Sequence, residues 1–163
     1  MVLKMSKMLV VHPEKCAGCR TCELMCSFEH NKTFNPRLSA VTVVDYEAAL
    51  ISVPVMCMQC DEACCLKVCP VEAITRDENG AVIMNPEKCI VCKMCVSACP
   101  LGNISYSPAT KSVFKCDLCG GDPKCVKFCA SGAIKLVDPT ENPDRKKAVA
   151  GRMKDVYGLE VSP

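Results

Sequence analysis

Cysteine dominates the chemistry open to this chain. It supplies 17 of the 163 residues, and all but Cys64 fall into four quartets. Cys16, Cys19, Cys22 and Cys26 read C-x2-C-x2-C-x3-C, as do Cys89, Cys92, Cys95 and Cys99, which Pro100 follows. Cys57, Cys60, Cys65 and Cys69 read C-x2-C-x4-C-x3-C and precede Pro70, while Cys116, Cys119, Cys125 and Cys129 read C-x2-C-x5-C-x3-C. Three thiolates crowded into one short loop reach three irons of a cubane, and a fourth on the helix that follows turns away towards a neighbouring cluster. Such quartets come in pairs and move single electrons. The spacing predicts that these residues are the iron ligands of four [4Fe-4S] clusters.

Other uses of cysteine fit less well. Zinc ribbons place two C-x2-C knuckles about 15 to 20 residues apart, whereas here each quartet is confined to one loop. Disulfides rarely persist in a reducing cytosol, and a redox dithiol needs a single pair beside a strand and a helix. The chain carries no C-x3-C-x2-C triad for radical chemistry and no catalytic constellation. It is read as a protein without catalysis of its own. Cys64 and Cys65 compete for one ligand position; Cys65 keeps the x3-C-Pro ending of the third quartet, which leaves Cys64 as a small buried hydrophobe. All quartets are complete without His12 and His30, so both are read as solvated or hydrogen-bonded. Met25, Met56, Met58 and Met94, close to ligands, are expected to pack against clusters.

Composition supports inorganic centres. With no Trp, 3 Tyr and 4 Phe, something other than large aromatics has to fill the middle of the fold. The formal charge of +2 is spread over both signs, which gives no basic stripe for nucleic acid. Lys15, Lys67, Lys88, Lys93, Lys115, Lys124 and Lys127 all lie within two residues of a ligand, where positive charge raises a reduction potential; most are equally well read as solvated. Lys4, Lys7 and His12 interrupt the opening apolar run, so no export signal is expected, and Ala48 to Gln59 is too short for a bilayer span. A soluble, cytoplasmic chain is the expectation.

The elements that must position these cysteines follow from an internal duplication. One constant offset carries the first quartet onto the third, and the second maps onto the fourth with a single residue gained between its second and third members. His12-Pro13-Glu14-Lys15 before Cys16 repeats as Asn85-Pro86-Glu87-Lys88 before Cys89. The chain thus reads as two ferredoxin-like modules of eight ligands each, α+β in class. Met8 to Val11 and Ile134 to Val137 are apolar runs able to pair, and Asn79-Gly80 marks a hairpin turn leading into Val82-Ile83-Met84. Short helices are expected between the third and fourth cysteines of each quartet. Leu38 to Val44 and Ala49 to Val55 form a second strand pair, a hairpin inserted at about residues 31–56 with no counterpart in the other intervals. Residues 1–138 make the double module. In 139–163, Asn142 is placed to cap and Pro143 to open a helix running to Tyr157, an appended extension.

With four quartets in this order, the chain resembles the iron–sulfur electron-transfer subunits related to the second subunit of dimethyl sulfoxide reductase and formate dehydrogenase. The likeness covers about residues 8–138. It implies two bicluster modules in nested arrangement, an outer one from quartets one and four and an inner one from quartets two and three. Carried across, one cluster takes Cys16, Cys19, Cys22 and Cys129, and its partner takes Cys116, Cys119, Cys125 and Cys26. The inner pair takes Cys57, Cys60, Cys65 and Cys99, then Cys89, Cys92, Cys95 and Cys69. Ala130 stands where the family often has Pro, and the loop of the fourth quartet is short. The segment from Cys16 to Cys26 looks most like the small subunits of tungsten aldehyde oxidoreductases and of class II benzoyl-CoA reductase. The resemblance therefore implies a larger catalytic redox subunit as partner, of the tungsten or molybdenum oxidoreductase kind, with an external ferredoxin or flavin subunit at the other end. A freely diffusing polyferredoxin is the alternative.

Overall fold

The structure is a computed structural model that describes residues 7–138; the helix expected after Pro139 lies outside the described residues. Four two-stranded antiparallel sheets and four helices follow one another along the chain. β1 (Met8–Val11) pairs with β8 (Ile134–Val137), Leu9 opposite Leu136, which brings the two ends of the described chain together as the apolar runs predicted. α1 (Thr21–Asn31) carries the last two cysteines of the first quartet. It is far longer than α2 (Cys64–Lys67), α3 (Met94–Ala98) and α4 (Lys124–Lys127). Proline explains two of the short ones. Pro70 and Pro100 follow the fourth cysteine of their quartets and cannot continue a helix, whereas Ser27 follows Cys26 and lets α1 run on.

The inserted hairpin is present but displaced. β2 (Val41–Tyr46) pairs with β3 (Ile51–Met56), a few residues later than the strands expected at 38–44 and 49–55. Pro36–Leu38 instead makes a 3-10 turn, capped by the Asn35 carboxamide oxygen, which accepts the Arg37 amide at 3.1 Å. Glu47–Ala49 makes another. β4 (Ile74–Arg76) and β5 (Val82–Met84) form the expected hairpin around Asn79-Gly80. A fourth hairpin, β6 (Ile104–Ser107) with β7 (Ser112–Lys115), lies between quartets three and four. The expectation that the hairpin inserted after quartet one has no counterpart is therefore corrected. The β6–β7 turn runs through Pro108 to Lys111, with Lys111 in the left-handed region, and contains no glycine to announce it.

Apolar side chains collect in two groups. Leu9, Val41, Val43, Met56, Leu118 and Ile134 bury against Cys22, Cys26, Cys116 and Cys125. Ile74, Val82, Ile104 and Val113 bury with Ala63 against Cys95. Aliphatic residues thus wrap the sulfur-bearing loops, as the scarcity of aromatics requires.

Candidate metal centres

Each C-x2-C loop bends in the same way. The residue just before the second cysteine has positive φ in all four quartets: Gly18 at 64°, Gln59 at 48°, Val91 at 57° and Leu118 at 61°. Only at Gly18 is the absence of a side chain also a matter of space, since a Cβ there would come within 2.8 Å of the Ser52 hydroxyl. A β-branched residue such as Val91 adopts this region at a cost and keeps it only where the surroundings over-determine it. The bend wraps the loop around a common centre. It is a structural repeat that residue spacing alone does not reveal.

The structure brings the cysteines into a continuous series. Cys22 lies within electrostatic reach of Cys16 and Cys19, and Cys129 packs against the same apolar group. Cys125 senses Cys26, Cys119 and Cys22, which joins the helix of quartet one to the loop of quartet four. Cys116 senses Cys57. Cys65 senses Cys57 and Cys99, and a cavity of about 340 Å³ is lined by Cys57, Cys60, Cys65 and Cys99 together with Pro100 and Ile104. That is an order of magnitude beyond one water's share of roughly 30 Å³. A second small cavity brings Cys69 beside Cys89, Cys92 and Cys95. In quartets two and three, the last cysteine of each therefore lines a cavity with the first three of the other.

Burial sets the thiol electrostatics. It pushes Cys22 and Cys125 up to about 12 and Cys119 up to about 11, and it pushes Cys116 up as well. Buried thiolates are costly without a cation, and iron would supply one. At the fourth positions amides answer the sulfur. Ala73 donates to Cys69 Sγ at 3.2 Å and Asn103 to Cys99 Sγ at 3.3 Å, each four residues on, whereas Cys26, on the longer helix, accepts from Ala40 at 3.3 Å. Burial raises Cys69 and Cys129, but the surrounding amides outweigh it and leave both below the usual thiol value. N–H donors of this kind tune cluster potential.

Cys64 is exposed, not the buried hydrophobe expected of it. It is the first residue of α2, where its thiol contacts the Glu62 carbonyl at 3.9 Å; it borders the larger cavity as Cys65 does, but only Cys65 is half buried and within electrostatic reach of Cys57 and Cys99. Of the methionines, Met56 is buried in the first apolar group and Met58 lines the larger cavity, whereas Met94 is half exposed beside the smaller one. His12 bonds to Glu14 at 3.1 Å; His30 Nε2 lies 3.6 Å from Cys119 Sγ and 3.4 Å from Asp117. Among the buried polar residues, Glu23 and Gln59 escaped the sequence reading, and Lys115 stood out there only as one of seven lysines near a ligand. Glu23 holds the β2 backbone, and Gln59 and Lys115 lie between the two apolar groups; nothing in a linear pattern separates them from solvated neighbours.

Comparison with known proteins accounts for this geometry. Residues 48–139 match the model of the 4Fe-4S dicluster domain, more than half of the chain. The chain belongs to the 4Fe-4S dicluster family. It is 44% identical over 140 residues to the polyferredoxin-like subunit of an aliphatic sulfonate oxidoreductase from Pyrococcus furiosus, which covers 83% of this chain and 80% of that one. It is 34% identical over 162 residues to the electron transport protein HydN of Escherichia coli, covering 82% and 89% of the two chains. Among solved structures, a chain of the active-site complex BamBC of benzoyl-coenzyme A reductase is similar, with a TM-score of 0.50, 26% identity and coverage of 93% and 94%. The cofactors of this family member are [4Fe-4S] clusters, and it is an iron–sulfur electron-transfer subunit. No helix among the described residues is long and apolar enough to cross a membrane.

Proposed function

We propose that this chain relays single electrons along four [4Fe-4S] clusters, to or from a larger catalytic subunit of the tungsten or molybdenum oxidoreductase kind. The ligand sets are nested: Cys16, Cys19, Cys22 and Cys129; Cys116, Cys119, Cys125 and Cys26; Cys57, Cys60, Cys65 and Cys99; Cys89, Cys92, Cys95 and Cys69. The observation that carries this reading is the single cavity shared by Cys57, Cys60 and Cys65 with Cys99 of another quartet. The pairing of β1 with β8 supports the outer module, because it draws quartets one and four together from opposite ends of the sequence.

Each cluster supplies a one-electron redox couple when bound. The chain's own residues hold the sulfurs, exclude water with aliphatic side chains and point amides at the thiolates. The electrostatic contacts run from Cys22 to Cys125, from Cys116 to Cys57 and from Cys65 to Cys99, which orders the row. Quartets one and three then stand at its ends, and their second cysteines, Cys19 and Cys92, are both exposed. One end faces the catalytic subunit and the other an external ferredoxin or flavin subunit. Catalysis belongs to the partner, and residues 139–163 are the segment proposed to clamp it. Cysteines that must stay reduced to hold iron favour a reducing compartment, and the reading is of a cytoplasmic complex.

Native purification tests the reading. The expected result is a stoichiometric complex that contains tungsten or molybdenum, which truncation after Asp138 dissociates while cluster content stays intact. Recovery of the chain alone, active as a soluble electron carrier, would favour a diffusing polyferredoxin instead.

A further inference from the structure

Lys115 is 7% exposed, and among the described residues no carboxylate pairs with it. A buried ammonium without a counter-charge is costly, so its surroundings must answer it. Its Nζ donates to the carbonyl of Val82 and, at 2.6 Å, to that of Cys116. Gln59 meets the same two residues: its Nε2 donates to the Cys116 carbonyl at 3.0 Å and its Oε1 accepts the Val82 amide at 2.7 Å. Gln59 lies between Cys57 and Cys60, and Lys115 immediately precedes Cys116. The polar lattice therefore occupies the seam between the second and fourth quartets, where the inner and outer modules meet. The ionisable groups nearest the ammonium there are cysteine sulfurs, which would be anionic as iron ligands. Lys115 lies within electrostatic reach of both Cys65 and Cys116.

Resting on the ligand sets proposed above, we propose that Lys115 is a positioning residue whose fixed positive charge raises the reduction potentials of the two central clusters, those of Cys57/Cys60/Cys65/Cys99 and Cys116/Cys119/Cys125/Cys26. Reduction adds one negative charge to a cluster, and a nearby buried cation stabilises that added charge more than it stabilises the oxidised state. The exposed lysines cannot do this to the same degree, because water screens them. Lys67 and Lys127, for example, are held by Glu62 and Asp122 at the surface. One residue thus acts on both sides of the crossing between modules and keeps the middle of the row accessible to an electron arriving from either end.

Potentiometric titration of the intact protein, followed by electron paramagnetic resonance, tests this in Lys115→Met, Lys115→Gln, Lys115→Arg and Gln59→Leu. Iron content of each variant is measured first. Two of the four clusters are expected to become harder to reduce in Lys115→Met and Lys115→Gln. Their reduced-to-oxidised ratio at a fixed potential should fall about tenfold, and the other two should not move. Lys115→Arg should restore the ratio, and Gln59→Leu, which breaks the lattice but keeps the charge, should leave it within about threefold of the wild type. Four intact clusters with unchanged midpoints would overturn the proposal, as would an equal fall in Gln59→Leu. Loss of iron from both uncharged variants would also overturn it, because the charge would then serve assembly and not potential. Failure of the ligand reading is distinguishable, since it shows in the wild-type protein as fewer than four clusters.

Discussion

The buried carboxylate of Glu23 accepts the backbone N–H of Val43 at 2.6 Å, fastening the first turn of α1 to the middle of β2. Glu23 stands next to Cys22, and Val43 belongs to the inserted hairpin, so the bond ties a ligand-bearing helix to an element that carries no ligand. Arg20 secures the arrangement from outside, reaching Glu23 at 3.4 Å and Asp45 at 2.5 Å. The hairpin is therefore part of the scaffold of the first centre. Removing a charged acceptor leaves a buried N–H unpaired and costs about 2–3 kcal/mol. Glu23→Ala is expected to lower the melting temperature of the holoprotein and to speed iron loss to a chelator, with Glu23→Gln in between. A variant that melts and releases iron like the wild type would show that the hairpin does not support the centre.

Cys64 and Cys65 are adjacent yet point to opposite fates. Cys65 is half buried among Cys57 and Cys99, while Cys64 is exposed. Cys64→Ala is expected to keep the full iron content, and Cys65→Ala to lose a cluster of the inner pair. A thiol reagent under anaerobic conditions should label Cys64 first in the loaded protein. Iron loss in Cys64→Ala with retention in Cys65→Ala would reverse the ligand assignment.

Nested pairing makes a distant substitution the informative one. Cys26 is far from the fourth quartet in sequence, but Cys119 and Cys125 both sense it. Cys26→Ala is expected to change the paramagnetic signal of the cluster built on Cys116, Cys119 and Cys125, and to leave the inner pair untouched. Wild-type protein reconstituted without oxygen should hold about sixteen irons, four per quartet of thiolates. A Cys26 change confined to the clusters of quartets two or three would contradict the nesting.

Much of this architecture is legible in the sequence because ligand spacing is a local constraint. The quartets, the duplication, the β1–β8 pairing and the Asn-Gly hairpin all follow from residues close in the chain or from terminal apolar runs with one obvious mate. What stays hidden is set by closure of the fold. The β6–β7 hairpin lacks a glycine signal, and its packing near β5 shows only once Val113 and Val82 are buried in one apolar group. Cys64 has the composition of a buried residue, but its place at the start of α2 leaves it exposed. Gln59 and Lys115 look like solvated residues until the second and fourth quartets meet around them. The positive φ at Gln59, Val91 and Leu118 is likewise imposed on residue types that do not ask for it.

The buried thiols also set a pH dependence in the chain stripped of iron. Burial raises Cys22 and Cys125 from 9.0 to about 12 and Cys119 to about 11, so the folded state holds these protons more tightly than the unfolded one. A group whose folded value is raised contributes its full stability below the unfolded value and loses it as pH climbs through the folded one. The stripped chain should therefore weaken progressively above about pH 9, with most of the loss complete near pH 12. In the loaded protein iron keeps the same sulfurs deprotonated at neutral pH, so the same rise in pH should cost it little. Acid should do the reverse, because protons compete with iron for the thiolates and release it. Thermal melts of loaded and chelator-stripped protein, followed by far-ultraviolet circular dichroism from pH 7.5 to 11, read both trends. A stripped chain whose melting temperature stays flat across that range, or a loaded one that falls in parallel with it, would show that these thiols are not buried together as described.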